Sequence, residues 1–507
     1  MEKLKGKVYL VGAGPGDPGL FTLKGKTVLE KADVVVYDYL ANEDLLQYCP
    51  GAEKIYVGKK GGDHTLPQAK INQLIIDKAL EGKVVVRLKG GDPYVFGRGG
   101  EEAEDLVKQG IDFEVVPGIT SAVAACAYAG IPVTHRNFAS SVSFITGHED
   151  PQKAESAIDW NALVKSKSTL VFFMGVKNLS IIVQNLLSAG MDPHMPVALV
   201  HWGTTCKQKT LVSKLDKVVE DAKQANFRPP SLIVIGKVVQ LKPVLDWFEK
   251  KPLLGKTVVV TRAREQASDL KAKLQELGAC VLECPTIKVR PLDDYSRAYS
   301  VLEKLDLYDW LVFTSVNGVK FFWKLLRDSH LDARALGGLR VAAIGPATQN
   351  ALEKLGIYPD FVPSKYVAED VVEGLLDLGI KGKGVLIPRA KVAREVLPEE
   401  LAKAGARVEV LPVYETVLAE DNKDKLVLAL EQGNVDFITF TSSSTVKNFF
   451  ALIDKNSFAL QLQKVSLVSI GPITSATLKK FGFQPDLEAS TYTIDGLVEV
   501  IKKAIGK

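Results

Sequence analysis

The chain reads as an α/β protein in two independent halves, and three features of its 507 residues predict this. Short apolar runs alternate with longer amphipathic stretches from end to end, the pattern of parallel or mixed sheets covered by helices. Glycine-rich loops follow several of those runs in the first half. In the second half a strand–turn–helix unit occurs twice. A seam at 243–255, PVLDWFEKKPLLG, breaks the periodicity with two prolines, a lysine pair and a glycine. It is read as the boundary, with a linker over 244–254. Each half is long enough to bury its own core.

The first run is VYLVGAGPGDPGL, residues 8–20. Val8 to Val11 form a buried strand, and Gly12, Gly14 and Gly16 let the backbone pass close to a bulky neighbour. The pattern approaches a dinucleotide loop, complete with an acid, Asp38, ending the second strand VVVYD. Pro15 and Pro18 argue against it, because they remove backbone donors where a pyrophosphate would be held. A flat, weakly charged nucleoside suits the loop better. Further strands are expected at 33–37, 84–88, 142–146, 168–173, 196–201 and 232–236. VVRLKGGDPYVFGRGGEE (85–102) breaks at Gly90, Gly91, Asp92 and Pro93, as a tight turn or as a ligand loop. VVPGITSAVAACAYAGIP (115–132) is a strand, a turn and a small-residue helix opening at Thr120 and Ser121. Taken alone it is a capped helix packed closely on a sheet. VFFMGV and VALVHWGTT end strands near Met174 and Gly203, and a single methionine there is ordinarily core.

The second half carries three matched blocks in the same order. Residues 255–281 parallel 382–408, 310–322 parallel 437–450, and 339–360 parallel 465–486. Two similar lobes follow: lobe one over 255–284 plus 418–507, lobe two over 290–411. Between them CPTIKVRPL (284–292) and VLPVYETVL (410–418) are expected to pair as a two-stranded hinge, with a ligand cleft between the lobes. The repeats place Arg262 and Arg389, Thr314-Ser315 and Thr441-Ser442, and two Gly-Pro pairs at strand ends. They are either caps kept for folding or a surface that binds carboxylates. His330 is the one histidine of this half, so no Ser-His-Asp hydrolase is expected.

Composition excludes several classes. Charged residues at 24% and hydrophobic residues at 46% describe an ordinary globular protein, and a net charge of +4 gives no case for nucleic acid. No stretch approaches the ~18 apolar residues of a membrane span, and MEKLKGK is no signal peptide. Five scattered cysteines without a Cys-x-x-Cys pair indicate neither a disulfide framework nor a zinc site. A reduced, cytoplasmic protein is expected.

VGAGPGDPGLFTLKG, YDYL, VGKKGG, RLKGGDPYVFGRGGEE, PGITSA and MG, in this order over about residues 5–240, resemble the uroporphyrinogen-III C-methyltransferases of the tetrapyrrole-methylase class. The resemblance implies two α/β subdomains, about 1–117 and 118–243, with S-adenosyl-L-methionine folded between them. The matching donor positions are Pro15, Gly90, Gly91, Asp92, Val95, Thr120, Ser121, Met174, Gly203 and Ser231. It implies a base at Asp38 and an acid at Lys59. By residue type alone Asp38 serves equally as a helix cap, and Lys59 is a solvated loop lysine. An octa-acid substrate calls for cations, and Arg87, Arg98, Arg136 and Lys60 are nearest these loops.

FTSVN (313–317), IGPATQNAL (344–352), DVVEGL (370–375), VYET (413–416) and the second IGP block resemble uroporphyrinogen-III synthase over about 255–507. That family closes hydroxymethylbilane with inversion of ring D and without a cofactor. The resemblance makes Tyr414 the proton donor to the leaving hydroxyl, and Arg262, Thr314, Ser315, Arg389, Thr441 and Ser442 candidate carboxylate contacts. The competing role for Tyr414 is packing against the hinge. The second repeat has TSSS where the first has TSVN, so the two loops are not equivalent.

Together the halves imply one bifunctional enzyme that makes uroporphyrinogen III and methylates it twice, to precorrin-2, on the route to sirohaem or cobalamin. A homodimer through the first half is expected, with no metal, nucleic acid or membrane. The rival is an NAD-dependent oxidoreductase fused to a two-lobed small-ligand binding module. An RNA methylase is disfavoured by the weak net charge.

Overall fold

The computed structural model describes residues 5–58, 66–148, 157–262, 264–363, 368–393, 396–420, 423–454 and 456–506. Two compact units comprise 1–257 with 272–281 and 502–507, and 258–271 with 282–501. Among the described residues no helix is long and apolar enough to cross a membrane.

The first sheet contains β1 (Lys7–Gly12), β2 (Val34–Tyr37), β3 (Glu53–Tyr56), β4 (Val85–Lys89) and β5 (Asp112–Val116), all parallel in the order β3-β2-β4-β1-β5. Alternate residues serve opposite faces, as the two-residue strand period requires. Val8 and Leu10 pack with Ile75 and Leu106, whereas Val11 and Leu88 pack with Leu29 and Leu45. Both faces are therefore covered, which explains the continuous apolar runs. The chain leaves β1 for β2 over one face and leaves β4 for β5 over the other. That divergence opens a crevice at the carboxyl ends of β1 and β4.

The second sheet contains β6 (Val142–Thr146), β7 (Thr169–Phe173), β8 (Pro196–His201), β9 (Lys209–Lys214) and β10 (Ser231–Ile235), ordered β6-β7-β10-β8-β9. Only β6 and β7 run parallel; the other three pairings are antiparallel. One face packs on the helix Leu179–Ser188 through Ile182 and Leu186, the other on the helix Ser121–Tyr128 through Ala122 and Ala125. β3 and β9, absent from the expected set, and β5, expected only at its end, are all edge strands. Their residues are mostly exposed or half-buried and form no apolar run, so they carry the weakest sequence signal.

The remaining strands are β11 (Thr257–Val260), β12 (Cys280–Glu283), β13 (Ile287–Arg290), β14 (Trp310–Phe313), β15 (Arg340–Ala343), β16 (Gly384–Ala390), β17 (Arg407–Leu418), β18 (Phe437–Phe440), β19 (Ser466–Ser469) and β20 (Leu487–Glu488). They form sheets ordered β12-β11-β18-β19-β20 and β13-β17-β16-β14-β15. The matched blocks occupy matched places: β11-β18-β19 in one sheet corresponds to β16-β14-β15 in the other, all parallel. β17 continues past its sheet, and Glu415 to Leu418 pair antiparallel with Ile287 to Arg290. This is the expected two-stranded hinge.

One expectation fails. Cys206 and Cys280 form a disulfide within the first unit, while Cys49, Cys126 and Cys284 are free and buried. Sequence spacing exposes only local cysteine pairs. This pair is 74 positions apart and is created where the loop after β8 meets the start of β12, with the Gly255 N–H also donating to the Cys206 carbonyl.

In the third sheet's core Phe449 is fully buried and meets Phe440 edge-on, with ring centroids 5.3 Å apart. Phe449→Ala should cost about 3–5 kcal/mol through lost burial and the cavity it leaves. Calorimetry should show the transition that abolishes second-half activity moving to lower temperature.

Candidate active sites in the two halves

At the mouth of the first crevice three loops touch through glycine backbones. Gly14 and Gly91 exchange hydrogen bonds, N–H to carbonyl, at 3.2 and 2.7 Å. A Cβ on Gly12 would lie 2.5 Å from Gly118 N, and one on Gly118 would lie 2.3 Å from the Gly91 carbonyl oxygen. Gly14 and Gly91 also hold φ of +75° and +70°, where a side chain is strained. The Asp92 carboxylate shapes this corner, accepting from Tyr94 N at 2.8 Å and Gly118 N at 3.0 Å. Thr120 precedes the helix Ser121–Tyr128 without capping it by its side chain, so the helix opens into the crevice with uncapped amides.

The loop after β8 closes the opposite wall. A Cβ on Gly16 would lie 2.6 Å from Thr205 Cγ2, and the Asp17 N–H donates to Thr204 Oγ1 at 3.1 Å. Gly203 sits flush on the helix at Ala125. Ser231 lies beside this loop, bonded to His201 Nδ1 at 3.0 Å. Met174 follows Phe173, whose ring is 4.9 Å from that of Phe96 in the loop after β4. The positions expected to hold a donor, Pro15 to Ser231, thus line adjoining loops. Five of the eight described non-glycine residues with positive φ fall in these loops: Phe96, Arg98, Met174, Trp202 and Thr204. Such conformations cost about 1–3 kcal/mol each and concentrate at functional sites.

Asp38 ends β2 at the rim. Its Oδ1 accepts from Leu40 N at 3.1 Å and its Oδ2 from Arg87 Nη2 at 2.9 Å. Leu40 in turn abuts Gly90, where a Cβ would meet it at 2.5 Å. Arg87 is 4% exposed and also bonds Glu102 Oε1 at 3.3 Å, as does Lys89 Nζ at 2.7 Å. Burial and the neighbouring Arg87 push the Lys89 ammonium below its usual pKa, against the pull of Glu102. Arg87 is therefore an internal counter-ion to Asp38 and Glu102. Arg98 is exposed and paired with Glu101 at 2.6 Å, and Arg136 is exposed. Lys59, Lys60 and His64 lie outside the described residues.

In the second half Tyr414 is held by a register shift between β16 and β17, where Ala390 rather than Lys391 faces it. Its hydroxyl is 3.1 Å from Ser315 Oγ, and its ring stacks on Phe321 with centroids 5.5 Å apart. Ser315 caps the helix Val316–Asp328, and Ser442 caps Ser443–Leu452 through a capping box with Thr445. Both serines are caps, and Ser315 is also beside the tyrosine. A cavity of about 530 Å³ lies between Ser442, Ser444, Lys447, Gly471 and Tyr492. Arg389 is buried in β16, and Thr314, Thr441 and Arg262 are half-buried at strand ends.

The family Tetrapyrrole (Corrin/Porphyrin) Methylases matches residues 7–219, and Uroporphyrinogen-III synthase HemD matches 268–499. A porphyrin biosynthesis protein HemD from Ruminiclostridium josui is 39% identical over 97% of this chain and 97% of its own length. The chain belongs to this family of fused tetrapyrrole methylases and uroporphyrinogen-III synthases. A uroporphyrinogen-III C-methyltransferase of Bacillus subtilis is 44% identical over 69% of this chain and 72% of its own. An S-adenosyl-L-methionine-dependent uroporphyrinogen III methyltransferase of Methanosarcina barkeri is 54% identical, over 47% of this chain and 94% of its own. The fused protein is a bifunctional enzyme of tetrapyrrole biosynthesis, and the oxidoreductase and binding-module alternative finds no support.

Sequence reading missed Glu102 as the buried partner of Arg87 and Lys89, although GRGGEE displays it. It also missed Thr204 and Gln208, whose polar side chains carry no motif. In the fused enzyme Gly12→Ala forces a methyl into backbone on two sides. Affinity for S-adenosylhomocysteine should fall about 100-fold or more by calorimetric titration, since small displacements at such a site have large effects. Ring closure by the same chain should be unchanged.

Proposed function

We propose that the first half transfers methyl groups from S-adenosyl-L-methionine to uroporphyrinogen III, twice, giving precorrin-2. The second half supplies that substrate by closing hydroxymethylbilane with inversion of ring D. The observation that carries the first reading is the backbone-only meeting of Gly12, Gly91 and Gly118 at the sheet crossover, beside the Asp38–Arg87 pair. Glycine backbones and prolines offer a flat nucleoside close approach without a phosphate cradle.

An electron-rich pyrrole carbon attacks the sulfonium methyl, so a C–C bond forms as the S–C bond breaks. The ring cation then sheds a proton, and Asp38 is the carboxylate assigned to take it. Arg87 and the Leu40 amide fix its direction, and a carboxylate retains lone pairs beyond those two contacts. The chain's larger contribution is to hold carbon and methyl in line. In the second half, Tyr414 protonates the departing hydroxyl of hydroxymethylbilane while Ser315 orients the phenol. The loops at Thr314-Ser315 and Thr441-Ser442 present helix amides to substrate carboxylates. We assign the enzyme to the cytoplasm as a homodimer through its first half, a state that light scattering measures directly.

Mass analysis of products from hydroxymethylbilane tests both readings. Uroporphyrinogen III should form without donor and a dimethylated product with it. Asp38→Asn should lower the methylation rate about 100-fold while leaving ring closure intact, the usual scale for removing a positioned base. Wild-type methylation by this variant would remove Asp38 from the reaction. Tyr414→Phe should slow ring closure about 10- to 100-fold and leave methyl transfer unchanged; an unchanged rate would make Tyr414 a packing residue of the hinge.

A further inference from the structure

The segment 242–250 follows the last strand of the first half and reads as a connector. Its side chains nevertheless hold the loop after β8 directly and, through Thr204 and Tyr128, the glycine loop that touches it at the donor crevice. Glu249 Oε1 accepts from Gln208 Nε2 at 2.9 Å and from Thr210 Oγ1 at 2.5 Å, and its Oε2 accepts from Lys242 Nζ at 3.0 Å. Gln208 is 5% exposed, and its Oε1 accepts from the Thr204 N–H at 2.7 Å. Thr204 Oγ1 receives the Asp17 N–H of the GAGPGDPG loop. An unbroken run of hydrogen bonds therefore leads from Glu249 to the first glycine loop.

A second route ends on the same aspartate. Tyr128 donates to Asp17 Oδ2 at 2.7 Å, and its ring is boxed by Trp247 and Phe248 with centroids 4.9 and 4.7 Å away. Trp247 Nε1 donates to the Ala127 carbonyl at 3.0 Å, at the end of the helix that opens into the crevice. Burial and the Asp17 bond push the Tyr128 hydroxyl well above its usual pKa, so it remains a donor.

The loop needs such fastening. Trp202 and Thr204 hold φ of +46° and +66°, conformations that side-chain-bearing residues leave unless neighbours impose them. Gln208 holds the Thr204 amide, and Glu249 holds Gln208.

We propose that Glu249 is a positioning residue for the methyl-donor site, and that residues 246–249 form a clamp setting the distance between the loops at 14–18 and 202–208. The proposal rests on the reading of these loops as the S-adenosyl-L-methionine site. Glu249 touches no reacting atom. It acts through Gln208, Thr204 and Asp17 on the shape of the wall against which the donor lies.

The test uses the full-length chain and titration with S-adenosylhomocysteine. Glu249→Ala should weaken binding about tenfold or more and raise KM for S-adenosyl-L-methionine in proportion. The kcat at saturating donor, the KM for uroporphyrinogen III and the rate of hydroxymethylbilane closure should stay within about twofold. Glu249→Gln keeps an acceptor for Gln208 and Thr210 and should recover most of the affinity. Gln208→Met keeps the volume but strands the Thr204 amide, and should reproduce the Glu249→Ala defect; it carries the test if Glu249→Ala fails to fold. Equal affinity in wild type and Gln208→Met overturns the clamp and leaves the donor assignment standing. Absence of binding by the wild type itself overturns the donor assignment, and the clamp with it.

Discussion

The first half depends on three peptide backbones lying where no side chain fits. Gly12, Gly91 and Gly118 come from the ends of three neighbouring strands; a Cβ on Gly12 or Gly118 would enter another's main chain, and Gly91 holds a φ of +70° that strains any side chain. That contact lets the loops after β1, β4 and β5 converge instead of splaying apart as the two crossovers diverge. It also leaves their amides at the surface of a crevice rather than hidden behind side chains. The glycines are therefore a steric requirement of the strand order β3-β2-β4-β1-β5.

Next to that neutral contact lies a costly one. Arg87, Lys89 and Glu102 are nearly inaccessible, and Glu102 Oε2 has no hydrogen-bond partner among the described residues. Withdrawing such charges from water is unfavourable, and their mutual attraction offsets it only when the geometry is good. Two cations facing Glu102 and Asp38 leave the group close to neutral. The product of this arrangement is direction: Asp38 is gripped by Arg87 and the Leu40 amide, one on each carboxylate oxygen. A surface aspartate would have no such constraint.

Much of this was legible before any coordinates. The apolar runs at 168–173 and 196–201 fall on β7 and β8, because interior strands covered on both faces must be apolar on both. The duplication fixed the arrangement of β11, β14, β15, β16, β18 and β19, since equivalent blocks bury equivalent faces. Edge strands were harder: EKIY and KTLVSK pair on one side and face solvent on the other. The glycines of the converging loops were visible because backbone proximity leaves a compositional trace. Long-range partners leave none. Gln208 with Glu249, Arg87 with Glu102 and Cys206 with Cys280 are ordinary residues until folding brings them together. The segment PVLDWFEKKPLLG illustrates the point, since its prolines and lysines look like a spacer while Trp247, Phe248 and Glu249 are anchored.

The interleaving of β11 and β12 with β18, β19 and β20 has a consequence for how the chain is born. The sheet ordered β13-β17-β16-β14-β15 is complete once residue 418 has been made, whereas β11, flanked by β12, cannot acquire its second neighbour until Phe437 to Phe440 exist. During translation, then, an apolar TVVV strand waits with an open edge while the whole intervening lobe is synthesised and closes first. The later lobe is sealed only when β18, β19 and β20 follow. A ribosome that stalls after the hinge leaves a finished lobe attached to a strand with one open, apolar edge, a nascent species suited to capture by chaperones or to aggregation.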